Sequence, residues 1–219
     1  MSSFPPLAPQ LLKGGIALLD PTTGAVQSVI ALQYNPDTLT RSFQIKGAGS
    51  ETGDRIEALR LKGPPVEPIK VEAEIDATDL LEVGDPQTMQ YGLHPVLAQL
   101  EVIVCPPSAT LQANNDMAAS GSLEIVAVEA ALTVFVFGPK RIAPVRITEL
   151  SVTEEAFDTN LNPIRAKISL TMRVLSIDDI TFTDVGGSLF MAYLQAKEQL
   201  AQNSKPASLG TLGISGFPT

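Results

Sequence analysis

The chain carries two residues suited to nucleophilic or acid–base catalysis near neutral pH: its single histidine, His94, and its single cysteine, Cys105. A Ser-His-Asp or Cys-His site would have to use His94. His94 stands directly before a proline at a predicted element boundary, and no GxSxG motif occurs. Cys105 lies in an apolar run before two prolines, which predicts a buried and unreactive thiol. We therefore predict no catalytic residues, and one cysteine excludes an internal disulfide.

Closely spaced carboxylates occur in Asp76-Ala77-Thr78-Asp79, and such carboxylates can bind a hard cation. The stretch lacks the glycine and the closing glutamate of a calcium loop, so the end of a strand is the favoured interpretation. Gly47-Ala48-Gly49 lacks the downstream glycine and the strand-to-helix context that a dinucleotide site requires. The sequence thus predicts neither a metal nor a cofactor.

The composition is typical of a globular domain and not of a disordered tail. Of 219 residues, 44% are hydrophobic and 18% are charged, so the chain can bury a sizeable core. A net charge of −9 argues against a nucleic-acid partner, which requires clustered lysine and arginine. No window approaches eighteen apolar residues, so we expect no membrane insertion. The N-terminal sequence resembles no signal peptide, which predicts synthesis in the cytoplasm.

Strict two-residue alternation marks the strands that would position any functional side chain. From Arg165 to Val174 apolar and polar residues alternate without a fault, which predicts a strand with one buried face. From Val145 to Thr153 the apolar positions change from odd to even across Glu149, and this change predicts a β-bulge. Residues 157–163 favour a turn. The whole region is therefore predicted to be a long antiparallel hairpin.

Two further stretches supply candidate surface residues. Ile69 to Asp76 alternates, with an acidic strip on its polar face: Glu72, Glu74 and Asp76. This acidic strip and a basic strip (Arg165, Lys167 and Arg173) either pair across neighbouring strands or line different surfaces. Leu123 to Phe137 has apolar residues at both odd and even positions, so both faces of a strand there would be apolar. A helix or a neighbouring subunit must therefore cover its second face. The candidate inter-subunit residues are Val126, Val128, Val134, Val136 and, on a helix predicted from Ser188 to Gln202, Phe190 and Tyr193.

The predicted organisation has three parts: an N-terminal arm at 1–14, a β domain at 15–185 with a loop insertion at 47–68, and a C-terminal helix and tail at 186–219. Within the β domain we predict a short helix or apolar segment at Pro95 to Val104. The remaining segments are predicted to be loops at Leu80 to Gly92 and Leu111 to Ser122, and a short strand at Asp178 to Thr183.

Several motifs occur in an order that resembles one family. They are LQYNPDTLTRSF at Leu32 to Phe43, KVEAEIDATD at Lys70 to Asp79, HPVLAQLEVIVCPP at His94 to Pro107, then PVRITELSV and LNPIRAKISL within the hairpin. Together they resemble the tube-domain proteins of contractile injection systems, which are particles related to contractile phage tails. The resemblance implies a mainly β fold (β-rich α+β): a small antiparallel tail-tube-like β-barrel with one or two flanking helices and a flexible C-terminal tail.

The resemblance also implies a structural role and no enzymatic activity. It implies a hexameric ring at the junction of the inner tube and the baseplate, with inner-tube, spike or hub, other baseplate and sheath components as partners, in a cytosolic or released particle. Repeating inner-tube subunits tend to be shorter, so the loop insertion and the tail favour a tube-initiating adaptor over the repeating subunit. The 32 residues after Gly187 are too few for the LysM domain of longer members.

The same residues leave a different class of protein open as an alternative. A soluble ligand-binding β-barrel or enzyme would need polar groups that converge in a pocket.

Within a ring, Glu72, Glu74 and Asp76 are predicted to face the lumen in preference to Arg165, Lys167 and Arg173. An acidic wall would repel acidic cargo and let it slide, whereas a basic wall would hold it.

Overall fold

The computed structural model describes residues 12–47, 60–120 and 130–218. The strands are β1 Gly15–Leu19, β2 Val26–Ala31, β3 Leu39–Arg41, β4 Pro68–Asp76, β5 Leu132–Val136, β6 Ile142–Phe157 and β7 Pro163–Val174. The helices are α1 Thr78–Glu82, α2 Pro86–Tyr91, α3 His94–Ile103, α4 Ser108–Ala119 and α5 Val185–Gln202, followed by a 3-10 turn at Leu209–Leu212.

The seven strands form one antiparallel sheet in the order β2-β1-β5-β6-β7-β4-β3. The predicted β-rich α+β class is therefore confirmed. In the described residues the outermost strands β2 and β3 do not pair with each other. The side chain of Gln33 joins the segment after β2 to the end of β4. The amide of Gln33 donates to the carbonyl of Asp76 (2.7 Å) and accepts from its N–H (2.9 Å).

The β6–β7 hairpin is the longest ladder of the sheet, and its bulge lies where the sequence predicts it. The register shifts between Ile147 and Glu149. Thr148 is thereby left unpaired, and its hydroxyl donates to the carbonyl of Thr171 (3.1 Å). The bulge keeps the apolar residues of β6 opposite the inward residues of β7 although their parity changes. At the tip, the Asp158 carboxylate accepts the backbone N–H groups of Asn160 and Asn162, which holds the turn.

The core lies against the apolar face of this sheet in two groups of side chains. Towards the beginning of β4, α5 contributes to the first group, which contains Ile16, Ile69, Val71, Phe135, Ala143, Val145, Leu170, Met172, Val174, Phe190 and Tyr193. Towards the end of β4, α3 contributes to the second group, which contains Ile30, Ile75, Ala77, Leu93, Leu97, Leu100, Ala166 and Ile168. The predicted inward faces of β4 and β7 are thus buried.

The described residues contain five α-helices where one or two were predicted, and two predicted loops were wrong. The segment 80–92 forms most of α1 and all of α2. Helix α2 begins at Pro86 because Asp85 accepts the N–H of Thr88 at its N-terminus (2.8 Å). The segment 111–122 lies largely in α4. This helix buries no residue, so its sequence lacks the helical spacing of apolar residues by which a helix is recognised. The predicted helix at Pro95 to Val104 is confirmed as α3.

The C-terminal helix α5 ends at Gln202 as predicted but begins one turn earlier, at Val185. Gly186 and Gly187 lie inside its first turn and do not break it. A Cβ on Gly187 would stand 2.1 Å from the carbonyl oxygen of Thr181, so only glycine allows this close approach. The strand predicted at Asp178 to Thr183 is wrong. That segment turns back on itself, with the N–H of Ile180 bonded to the carbonyl of Ser176 (3.0 Å).

The buried face of β7 gives a direct test of the register. Replacing Leu170 with Asp should lower the free energy of unfolding by several kcal/mol, since it places an unpaired charge in the core. Thr171→Asp is the matched control, because Thr171 points to the opposite face between Lys70 and Glu149; it should lower the free energy of unfolding by no more than about 1 kcal/mol. Urea unfolding followed by circular dichroism measures both. Equal stability of the two variants would show that the register is wrong.

Candidate assembly surfaces

The acidic strip of β4 and the basic strip of β7 form one face of the sheet. Glu74 stands opposite Lys167 and Asp76 opposite Arg165, and residues opposite each other in a ladder point to the same side. The guanidinium of Arg165 contacts Asp76 (2.8 Å) and Glu74 (3.4 Å). Of the two alternatives left open by the sequence, cross-strand pairing is the one observed.

These pairs shift the pKa values of their members. Hydrogen bonds from Thr78 lower the pKa of the Asp76 carboxyl, and Arg165 lowers it further. Asp76 raises the pKa of Arg165, and Glu155, which contacts Lys167 at 2.8 Å, raises the pKa of Lys167. The Asp76 carboxylate is thus bonded to protein groups. In the described ranges, no group of three or more His, Cys, Asp or Glu is arranged to hold a metal ion.

Because the acidic and basic strips share one face, a lumen wall made of the acidic strip would also carry basic residues. Any surface that includes Glu72, Glu74 and Asp76 also includes Arg165 and Lys167. Its charge is therefore mixed, and the acidic and basic strips are not competing walls. Orientation of this mixed-charge face toward a lumen stays a prediction.

The predicted inter-subunit residues lie mainly inside the subunit. Val134, Phe190 and Tyr193 are buried, and Val136 is half-buried. Phe190 and Tyr193 belong to the core group that contains Phe135. Val126 and Val128 lie outside the described residues. The second face of β5 at Val134 is thus covered within this chain, so the buried members of this set provide no free surface for a neighbour.

A buried carboxylate ties α5 to the sheet. Glu67 directly precedes β4, and only 5% of its side chain is exposed. One of its oxygens accepts from the hydroxyl of Tyr193 (2.8 Å) and from Arg41 (3.3 Å). The other accepts from Lys197 (2.6 Å), whose ammonium lies 4.0 Å from the centre of the Tyr193 ring. No local sequence pattern predicts this cluster, since Glu67 and Tyr193 are 126 positions apart.

The pairing of β3 with β4 continues beyond both strands. Isolated bridges join Gln44 to Val66 and Gly47 to Leu61. We call residues 39–47 and 61–71 the β-arm. Part of the predicted loop 47–68 is therefore paired backbone, while residues 48–59 lie outside the described ranges. Lys46 contacts Asp178 (2.7 Å) and fixes the outer part of the β-arm against the turn that follows β7.

A groove of about 950 Å³ lies between β1–β2 and α3–α4. We call it the apolar groove. Its lining includes Leu18, Val102, Val104, Leu111 and Cys105. The expectation that Cys105 is buried was wrong: its side chain is exposed. Helix α3 ends at Ile103 and the chain turns at Pro106-Pro107, so Cys105 follows the helix at the mouth of the groove.

His94 and Cys105 do not form a common site. His94 is the first residue of α3 and Cys105 follows its end, and a ten-residue helix is about 15 Å long. His94 is exposed and near the hairpin tip. There the hydrogen bonds of Asn162 lower the pKa of Asp158, with a smaller contribution from His94.

No family model and no curated protein matches the chain. Among solved structures, the chain is similar to a protein of the virion of a native gene transfer agent particle. The two are 14% identical, the match covers 77% of this chain and 95% of that one, and the TM-score is 0.27. A TM-score this low does not establish a shared fold, so the function must be argued from the residues of this chain. None of the helices in the described ranges has the length and apolar character needed to cross a membrane.

The Glu67 cluster yields a stability prediction. Glu67→Gln should lower the free energy of unfolding by about 1–3 kcal/mol, because Arg41 and Lys197 lose their shared counter-charge in a largely dry position. Glu72→Gln is the control. The Glu72 side chain is 66% exposed and pairs only with Lys70 among the described residues, so its loss should cost less than about 0.5 kcal/mol. Equal effects in urea unfolding would contradict a structural role for Glu67.

Proposed function

We propose that this chain is a structural subunit that forms a ring at the junction of the inner tube and the baseplate of a phage-tail-like contractile injection particle. The observation that carries the proposal is the ordered series of motifs resembling tube-domain proteins. In the structure these motifs fall on the segment after β2 that includes β3, on β4, on α3 and on the β6–β7 hairpin, and these elements form one side of the strand order and part of the cover of the sheet.

The sheet has a physical need that a ring would meet. Within the described residues, its outermost strands β2 and β3 each pair with one strand only, and Val26 and Val29 of β2 are exposed. Free sheet edges associate readily with other chains. A closed cyclic assembly joins such edges around one axis and leaves none to extend without limit. Six identical copies, as in the resembling family, would form this ring.

Two exposed parts of the subunit support an adaptor at the junction over the repeating tube subunit. The β-arm extends the sheet beyond the core. The residues after α5 are exposed and include large apolar side chains at Leu212 and Phe217. Exposed apolar residues of this size are typical of contact surfaces. We assign the exposed residues after α5, including Leu212 and Phe217, to contacts with the inner-tube, spike or hub, and other baseplate components.

Cryo-electron microscopy of the assembled particle tests this proposal. We expect six copies in one ring on the tube axis, between the inner tube and the hub. Deletion of this chain should leave particles without a tube seated on the baseplate. A position in the sheath or in a fibre would contradict the proposal. If the mixed-charge face points outward in an otherwise correct ring, only the lumen assignment is wrong.

A further inference from the structure

We infer that the β-arm of one copy packs into the apolar groove of the next, so that these two surfaces form the contact between neighbouring subunits. The inference rests on the proposed ring and names the residues that would build it. Its evidence is separate from the motif resemblance, since it comes from two surfaces that nothing in the described residues covers.

The apolar side of the β-arm is the side that faces the core. Alternate residues of a strand share a side, so Arg41, Phe43 and Ile45 point the same way. Arg41 reaches inward to Glu67 and Tyr193, and Phe43 lies 5.2 Å beneath the ammonium of Lys197. Further outward along the β-arm, beyond Lys197, there is no core for its side chains to pack against. The Ile45 residue is 74% exposed, and Leu61, opposite Gly47 on the same side, is 71% exposed.

The apolar side of the β-arm therefore continues beyond the core of its own subunit, and the part beyond the core, Ile45 and Leu61, is exposed. Exposing it to water costs free energy in proportion to its area. The Glu67 cluster holds the base of the β-arm against α5, and the exposed Lys46–Asp178 pair adds a weaker contact with the turn after β7.

The apolar groove has the complementary chemistry. None of the described residues that line it is charged, although 18% of the whole chain is charged. Such a lining offers no counter-charge to a nucleic acid or an ionic peptide. Its volume of about 950 Å³ is large enough for several aliphatic side chains, and Leu18, Val102, Val104 and Leu111 would contact them.

The positions of the two surfaces determine the symmetry of the contact. The β-arm extends from β3, at one end of the strand order, whereas the groove flanks β1 and β2, at the other end. The contact is heterologous when each copy uses its β-arm on one neighbour and its groove on another, whereas two copies that exchange both contacts would form a two-fold dimer. Repetition of this contact closes a ring when the rotation between copies divides a full turn.

Cys105 allows a direct test, because it is the only cysteine and it lies in the groove. The variants Leu61→Cys and Ile45→Cys, prepared separately, add one thiol to the β-arm. Copper-catalysed air oxidation of the assembled protein should then link the β-arm of one copy to Cys105 of the next. Because each copy carries both thiols, non-reducing gels should show a ladder of species larger than dimers.

Three controls separate this contact from chance collisions. The unsubstituted chain should not cross-link beyond a dimer, and Leu61→Cys combined with Cys105→Ser should also stop at dimers. Leu212→Cys places a thiol at a residue of similar exposure, 69%, outside the β-arm, and it should give no ladder.

In parallel, Leu61→Glu and Val102→Glu should each weaken self-association by more than about tenfold, since a charge would enter an apolar contact. Leu212→Glu should not.

The outcomes distinguish the inference from the proposed function. If electron microscopy shows rings but neither β-arm variant gives a ladder, the inference is wrong and the ring proposal stands. The same conclusion follows if a small apolar molecule or another particle component occupies the groove while rings persist in Val102→Glu. If the unsubstituted chain forms no oligomer alone or in the particle, both are contradicted.

Discussion

Burial of alternate side chains along β7 is the constraint on which the rest of the structure depends. This strand pairs along most of its length with β6 on one side and β4 on the other, and the remaining strands join the sheet through those two. Slipping either register by one residue would expose Leu170 and Met172 and bury Arg165 and Lys167. The bulge at Thr148 shows how strict the requirement is. The strand β6 accommodates an extra residue and still keeps its apolar side chains on the core side.

The same constraint produces the outer surface. Once β4 and β7 bury their apolar residues, their charged residues must share the opposite face, where Asp76 and Arg165 become direct neighbours. The exceptional charged group is Glu67, which is buried where the β-arm, the sheet and α5 meet. Its three partners neutralise and hydrogen-bond it, and in doing so they hold the β-arm in place. The position of the β-arm, and thus any contact it makes with a neighbour, therefore depends on an interaction inside the subunit.

The parts of this fold that could be predicted from sequence are those with a local period. The two-residue alternation of β4 and β7, the parity change across Glu149 and the polar end of α5 at Gln202 are all visible in short windows. Helix α4 could not be recognised this way, because it buries no residue and so has no apolar period. The Glu67 cluster joins residues more than 120 positions apart, and no local pattern encodes such a pairing.

The candidate surfaces were harder to predict for a related reason. Apolar residues on both faces of β5 indicate that both faces are covered, but not whether the cover is internal. For Val134 it is internal. Leu61 lies in the segment predicted to be a loop and Ile45 lies just before that segment, and the exposure of both depends on where the core of the folded subunit ends. A sequence pattern can therefore predict which side of a strand is apolar, whereas the free surface appears only after the subunit has folded.

Assembly into a closed ring of identical copies is the property that the proposed function requires. Sedimentation velocity of the purified chain over a range of concentrations measures whether the chain closes such a ring by itself. We expect a single oligomer of six times the monomer mass, in equilibrium with smaller species, whose mass does not increase further as concentration rises. A monomer at every concentration, or a two-fold dimer as the largest species, would contradict ring closure by the chain alone.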